Sequence, residues 1–249
     1  MMLSYCLMVY APRPSLKETR MSGSRKTFIL LFLVTVLYTV YRYQGSEAFF
    51  LTYFRLLPAN RSIGTLAVYY RWCMAFLLLG VLPACIIRFV FKEPLSWYGI
   101  TINRPLVTFF VTLIGVVIVT PLVYFGARDR LLSSIYPLVH DSSLSYGRFA
   151  ESALFYLLYY AGYEFSFRGL LFMGLKDDIG EWQAVGVSLA ASVLLHVTQP
   201  QSEMLMAIIA GIAFPIVTRR LGSLLPAVLI HAYTGIALDY WIIIYQGGF

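Results

Sequence analysis

Long apolar runs, broken by short polar or basic stretches, recur along most of this chain. They cover about Thr27 to Tyr41, Thr65 to Val90, Leu106 to Phe125, Ala150 to Leu175, Ala184 to Val197, Met204 to Val217 and Leu224 to Ile244. Runs of this length and uniformity predict membrane-spanning helices, because only a helix satisfies its own backbone inside lipid. The pattern predicts an all-α, polytopic transmembrane helical bundle of seven spans, or eight if a break splits one. Several later runs are short for a hydrocarbon core of about 30 Å, which suits packed interior helices better than lipid-facing ones. Pro121 is placed to kink the third run. Small residues recur four apart in the later runs (Ser188 and Ser192, Ala207 and Gly211, His231 and Gly235), a spacing that lets helix backbones approach closely.

Composition strengthens the membrane reading. Of 249 residues, 59% are hydrophobic and only 12% are charged, where soluble domains are about one-quarter charged. Mean hydropathy is +0.74. The formal net charge of +7 reads as loop charge. No basic patch interleaved with exposed aromatics marks a nucleic-acid partner. Cys6, Cys73 and Cys85 are odd in number and lack metal-type spacing, so no disulfide framework is expected. Residues 1–26 read as a cytosolic tail. Met21 opens a signal-anchor-like stretch with Arg25 and Lys26, so either Met21 is the true start or residues 1–20 are a disordered extension. Residues 27–104 read as peripheral helices and 105–249 as the core. Lysine and arginine in the breaks are biased towards the side that carries the N-terminus, which predicts N-in and C-out.

The stretch Phe155 to Leu175 interrupts an apolar run with Glu164 and Arg168, which fall one turn apart on one helix face. Each charge costs roughly 2.5–3.5 kcal/mol at membrane depth, so such groups face a partner or a wet cavity. His196 ends the fifth run, His231 lies inside the seventh, and Asp239 follows His231 by two turns on a similar face. Glu203 sits just beyond Pro200, near a helix N-terminus that favours an anion whatever its role. Three helices thus offer ionisable groups to one interior. A carboxylate and an imidazole around a water can perform acid–base hydrolysis, and a second imidazole can donate to the oxyanion. The plainer readings are a structural ion pair for Glu164–Arg168, hydrogen-bonded core histidines, and packing for Tyr163.

These residues resemble the CPBP (Abi) family of intramembrane proteases, which are similar to type II CAAX prenyl endopeptidases. The resemblance rests on Tyr163-Glu164-Phe165-Ser166-Phe167-Arg168-Gly169, the helix ending in His196, and Leu229-Ile230-His231. The Arg220-Leu221-Gly222-Ser223-Leu224-Leu225-Pro226 run adds to it. The likeness extends over roughly residues 105–245 and is most specific between 150 and 240. The family's motifs are Glu-Glu-x-x-x-Arg, Phe-x-x-x-His and His-x-x-x-Asn or Asp. Three positions depart: Tyr163 stands for the leading glutamate, Ser192 for the phenylalanine and Gly235 for the asparagine.

The resemblance implies an endopeptidase in which Glu164 and His196 polarise a water, His231 stabilises the oxyanion and Arg168 orients Glu164. Asp239, Glu203 and Tyr163 are accessory candidates. No cofactor is expected, with zinc at Glu164, His196 and His231 as the alternative. The partners expected are the lipid bilayer and a membrane-associated protein or peptide substrate. The expected location is a bacterial cytoplasmic membrane, where peptide maturation or immunity suits the chain better than cleavage of prenylated proteins. Tyr163 and Gly235 motivate a rival, a catalytically impaired relative that binds a membrane partner. A proton-linked transporter is a third reading, though paired broken helices and repeated halves are absent.

Overall fold

The computed structural model describes residues 23–54 and 62–249. Residues 1–22, with Met21 and Cys6, and residues 55–61 lie outside the described residues, and so do the expectations that fall on them. In chain order the helices are α1 (Gly23–Tyr43), α2 (Glu47–Tyr53), α3 (Ile63–Ala75), α4 (Leu82–Cys85), α5 (Pro105–Gly126), α6 (Arg130–Ile135), α7 (Tyr146–Glu164), α8 (Gly174–Ile179), α9 (Glu181–Leu194), α10 (Gln201–Leu221) and α11 (Leu225–Tyr245). Helix α3 runs on through a π-helical segment at Phe76–Val81, α4 and a second π-helical segment at Ile86–Val90. Helix α7 continues through a π-helical segment at Phe165–Met173 into α8.

Local chemistry sets the helix ends. Ser62, Asp129 and Ser145 accept hydrogen bonds from the first free amides of α3, α6 and α7, replacing partners the helix lacks there. Gly222 closes α10 at φ +65, a left-handed conformation that glycine adopts without Cβ strain.

Five helical stretches are long and apolar enough to cross a membrane: Gly23–Tyr43, Ile63–Val90, Pro105–Gly126, Gln201–Leu221 and Leu225–Tyr245. They also turn apolar side chains outward. Along α5, Leu106, Phe109, Phe110, Ile114, Val117 and Ile118 are all exposed, a surface suited to lipid. The all-α, membrane-helix-rich class expected from the apolar runs is what the structure has. The finer expectation of seven to eight spans also needs α7–α8 and α9. Helix α9 has 14 residues, and α7 is studded with tyrosines and carries Glu164 at its end.

The helices share two ends. At one, Lys26 Nζ of α1 pairs with both Glu93 oxygens at 2.7 and 2.9 Å, and the Tyr98 hydroxyl also donates to Glu93. The Leu224 amide donates to the Gly99 carbonyl there. At the other, the Ser62 amide donates to Asp141 Oδ2 at 3.1 Å, and the Phe249 amide donates to the Ser143 carbonyl. The main apolar core lies around Phe165–Leu175, packed by Leu30, Ile87, Tyr98, Ala184 and Leu224. Helix α7 crosses the Phe76–Val81 segment at a bare backbone contact. A Cβ at Gly162 would lie 2.7 Å from the Ala75 carbonyl oxygen and from Phe76 Cα. Gly80 meets Gly162 from the opposite side.

Candidate functional site

Glu164 closes α7, and the wider π-helical turn begins with Phe165. Such segments gather at functional sites because they re-aim side chains. The turn's Phe167 carbonyl accepts a hydrogen bond from Ser188 Oγ of α9 at 2.9 Å. This bond locks the turn to the next helix and gives Ser188 a role beyond close packing.

Glu164 is fully buried and Arg168 nearly so. Their charges meet at 3.2 Å between Oε2 and Nε, without the alignment of a hydrogen bond. The guanidinium also stands 5.3 Å from the Phe214 ring centre and 5.8 Å from that of Phe167, where aromatic faces attract a cation. The other glutamate oxygen, Oε1, lies 2.5 Å from His231 Nδ1 of α11, closer than the roughly 2.7–2.9 Å usual for a charge-assisted N–H···O bond. The histidine ring packs against Tyr160, Tyr163 and Phe214.

His196 belongs to a second pair. Its Nδ1 lies 2.8 Å from the Ser192 carbonyl. A carbonyl can only accept, so Nδ1 carries the hydrogen and the neutral ring has a bare Nε2. Nε2 stands 3.9 Å from Glu203 Oε1. The Tyr136 hydroxyl donates to Glu203 Oε2 at 3.0 Å. Burial first, and the Glu203 charge second, push the Tyr136 hydroxyl well above its ordinary pKa, so it stays a donor.

The expected residues therefore come together as two pairs, with Glu164 on His231 and His196 on Glu203. Among the described residues no hydrogen bond or ion pair joins Glu164 to His196. Tyr163 stands between the pairs, with its ring 5.4 Å from that of His231 and 6.1 Å from that of His196, and its hydroxyl donates to the Ser192 carbonyl at 3.4 Å. Asp239 is buried with Oδ1 unpartnered, close enough for its charge to act on Tyr136. Gly235 is pressed against Tyr156 and Tyr160, and a Cβ there would collide with both. No asparagine fits at that position without moving two tyrosines.

Among the described residues, no three His, Cys, Asp or Glu side chains are grouped to hold a metal ion. Glu164, His196 and His231 do not fit a zinc set. Reading the residues singly missed Tyr136 and Tyr160. Their only signal was an unusual density of tyrosine, which does not say that the Tyr136 hydroxyl meets Glu203 or that the Tyr160 ring packs on His231.

The fold is all-α and rich in membrane-length helices, with a buried Glu164–Arg168 pair set against a partly open His231. Residues 147–237 match the family model described as "Type II CAAX prenyl endopeptidase Rce1-like". The chain thus carries a CAAX-protease-like domain over that part of its length. The domain contains all of Glu164, Arg168, His196, Glu203 and His231. No curated protein and no solved structure gave a match.

Proposed function

We propose that this protein is an intramembrane endopeptidase that hydrolyses a peptide bond of a membrane-associated protein or peptide with an activated water. The observation that carries the reading is the 2.5 Å contact between fully buried Glu164 and His231, inside the matched segment. Glu164 anchors the His231 ring at Nδ1, and Nε2, which makes no hydrogen bond to the described residues, is the atom that in the protonated ring donates to the oxyanion forming on the attacked carbonyl. Arg168, 3.2 Å from the other Glu164 oxygen, holds the carboxylate in place. His196, with its bare Nε2, is the imidazole that faces the water.

The test is cleavage of a peptide library by the full chain in liposomes, compared with Glu164→Gln, His196→Ala and His231→Ala. Cleavage by the parent, lost in all three folded variants, supports the reading. A second reading is motivated by Tyr163 and Gly235, where the tyrosine fills the place of the family's leading glutamate and two rings fill the place of its asparagine. A binding protein that keeps the fold would take up peptide with no turnover, and the same experiment reports that outcome.

A further inference from the structure

The proposed hydrolysis needs a carboxylate beside the water, and the usual position for one is occupied by Tyr163. Glu164 cannot supply it. The side chain is fully enclosed, with one oxygen held by His231 and the other against Arg168. The turn after α9 brings a different carboxylate to His196. The Gln199 amide donates to the His196 carbonyl at 2.9 Å, and the Glu203 amide donates to the Pro200 carbonyl at 3.0 Å. The first turn of α10 is thereby folded back onto the histidine.

The separation of 3.9 Å between His196 Nε2 and Glu203 Oε1 is too long for a direct hydrogen bond. It suits one water bonded to both at about 2.8 Å, which would see its two partners at about a right angle. Both partners are acceptors: the imidazole because Nδ1 holds its hydrogen on the Ser192 carbonyl, and the glutamate as a carboxylate. A water that gives both hydrogens to them turns a lone pair the other way. The two side chains are also partly open, at 14% and 25% exposure, where Glu164 has none. Tyr136 fixes the second glutamate oxygen.

We propose that Glu203 of α10 is the general base that, with His196, deprotonates the attacking water, taking over from the leading glutamate that this chain lacks. The inference rests on the endopeptidase reading. The water O–H bond breaks as its oxygen bonds to the carbonyl carbon, and the proton passes to the Glu203–His196 pair. The carbonyl π electrons move onto oxygen, where His231 meets them. On collapse the C–N bond breaks with its electron pair on nitrogen. That nitrogen takes the proton back from Glu203–His196, leaving an acid and an amine.

Steady-state cleavage by the full chain in liposomes tests this. Glu203→Gln should lower kcat by about 10²–10⁴-fold, the range of general-base catalysis, with KM little changed. Glu203→Asp should keep intermediate activity, and added formate should partly restore Glu203→Ala. A merely structural glutamate would show neither the split between kcat and KM nor the rescue. If Glu203→Gln does not fold, Tyr136→Phe leaves the carboxylate but frees its second oxygen. It should lower kcat by about tenfold, as for one hydrogen bond to a charged group, and unchanged kcat would overturn the proposal. Parent-like kcat in Glu203→Gln, with Glu164→Gln and His231→Ala inactive, sinks the base and spares the endopeptidase. No cleavage by the parent sinks both.

Discussion

Glu164 and Arg168 stabilise each other in a place where either alone is a liability. A single buried charge left without its partner costs about 3–5 kcal/mol, whereas the pair as a whole is worth far less against apolar replacements. We therefore expect Glu164→Gln and Arg168→Met each to destabilise the folded protein by about that much, and the double variant to lose clearly less than their sum. Unfolding in detergent, followed for all four species, measures the coupling, and strict additivity would show that the two charges do not act as a unit. The pairing was legible beforehand because a four-residue separation on one helix is a local fact. The partner of each histidine was not. His231 meets Glu164 across two helices, and His196 meets Glu203 only because the Thr198–Pro200 turn reverses the chain. Side-chain chemistry names candidates for a site, but tertiary packing decides which acid serves which base.

Close helix crossings depend on what is absent from the side chain. Gly162 and Gly80 let α7 and the Phe76–Val81 segment touch backbone to backbone. Gly162→Leu forces the Ala75 carbonyl away and should cost at least about 1–3 kcal/mol, the range for overpacking. Gly64→Leu, with open space around it, is the control and should leave folded yield intact. Equal losses at both positions would mean that the crossing is not what glycine provides. The small-residue repeats of the later runs led to part of this packing, through Ser188 and Gly235. They did not lead to the Gly162–Gly80 crossing, because Gly80 lies in an earlier run than those repeats.

A second element-scale test concerns the start of α3. Burial raises the Asp141 pKa, but the hydrogen bonds from Ser62 and Thr65 and the charge of Arg148 outweigh it, so its carboxyl sits below the ordinary value. A folded pKa below the unfolded one means that the stabilisation is present above about pH 4 and is lost as pH falls further. Hydrogen exchange at the Ser62 amide should accelerate on acidification through that range. In Asp141→Asn it should be fast throughout.

At the scale of the molecule, the contacts between helix ends fix which loops share a side. Lys26–Glu93–Tyr98 and Leu224–Gly99 gather the start of α1, the end of the Ile63–Val90 helix and the start of α11. Ser62–Asp141 and Phe249–Ser143 gather the start of α3, the start of α7 and the end of α11. Apolar runs predicted helices well, since burying a backbone in lipid leaves few other options. They predicted the number of spans less directly, because helices that wrap a polar site sacrifice the apolarity by which a span is recognised. Charge at the two ends is the basis for an expected orientation. Arg25, Arg88, Lys92, Arg104, Lys176, Arg219 and Arg220 belong to the first end, and Arg42, Arg128, Arg130 and Arg148 to the second. By the positive-inside rule the excess at the first end leads us to propose that this end faces the cytosol. In a background with Cys6, Cys73 and Cys85 replaced by serine, exposed Ser134 of the second end and exposed Ser96 of the first serve as single-cysteine reporters. Ser134→Cys should react with an impermeant maleimide in intact cells, and Ser96→Cys only after the membrane is opened. The reverse pattern would invert the molecule and place the His196–Glu203 pair, which lies near Tyr136 and so towards the second end, nearer the cytosolic face. The substrate segment would then have to enter from the cytosolic side.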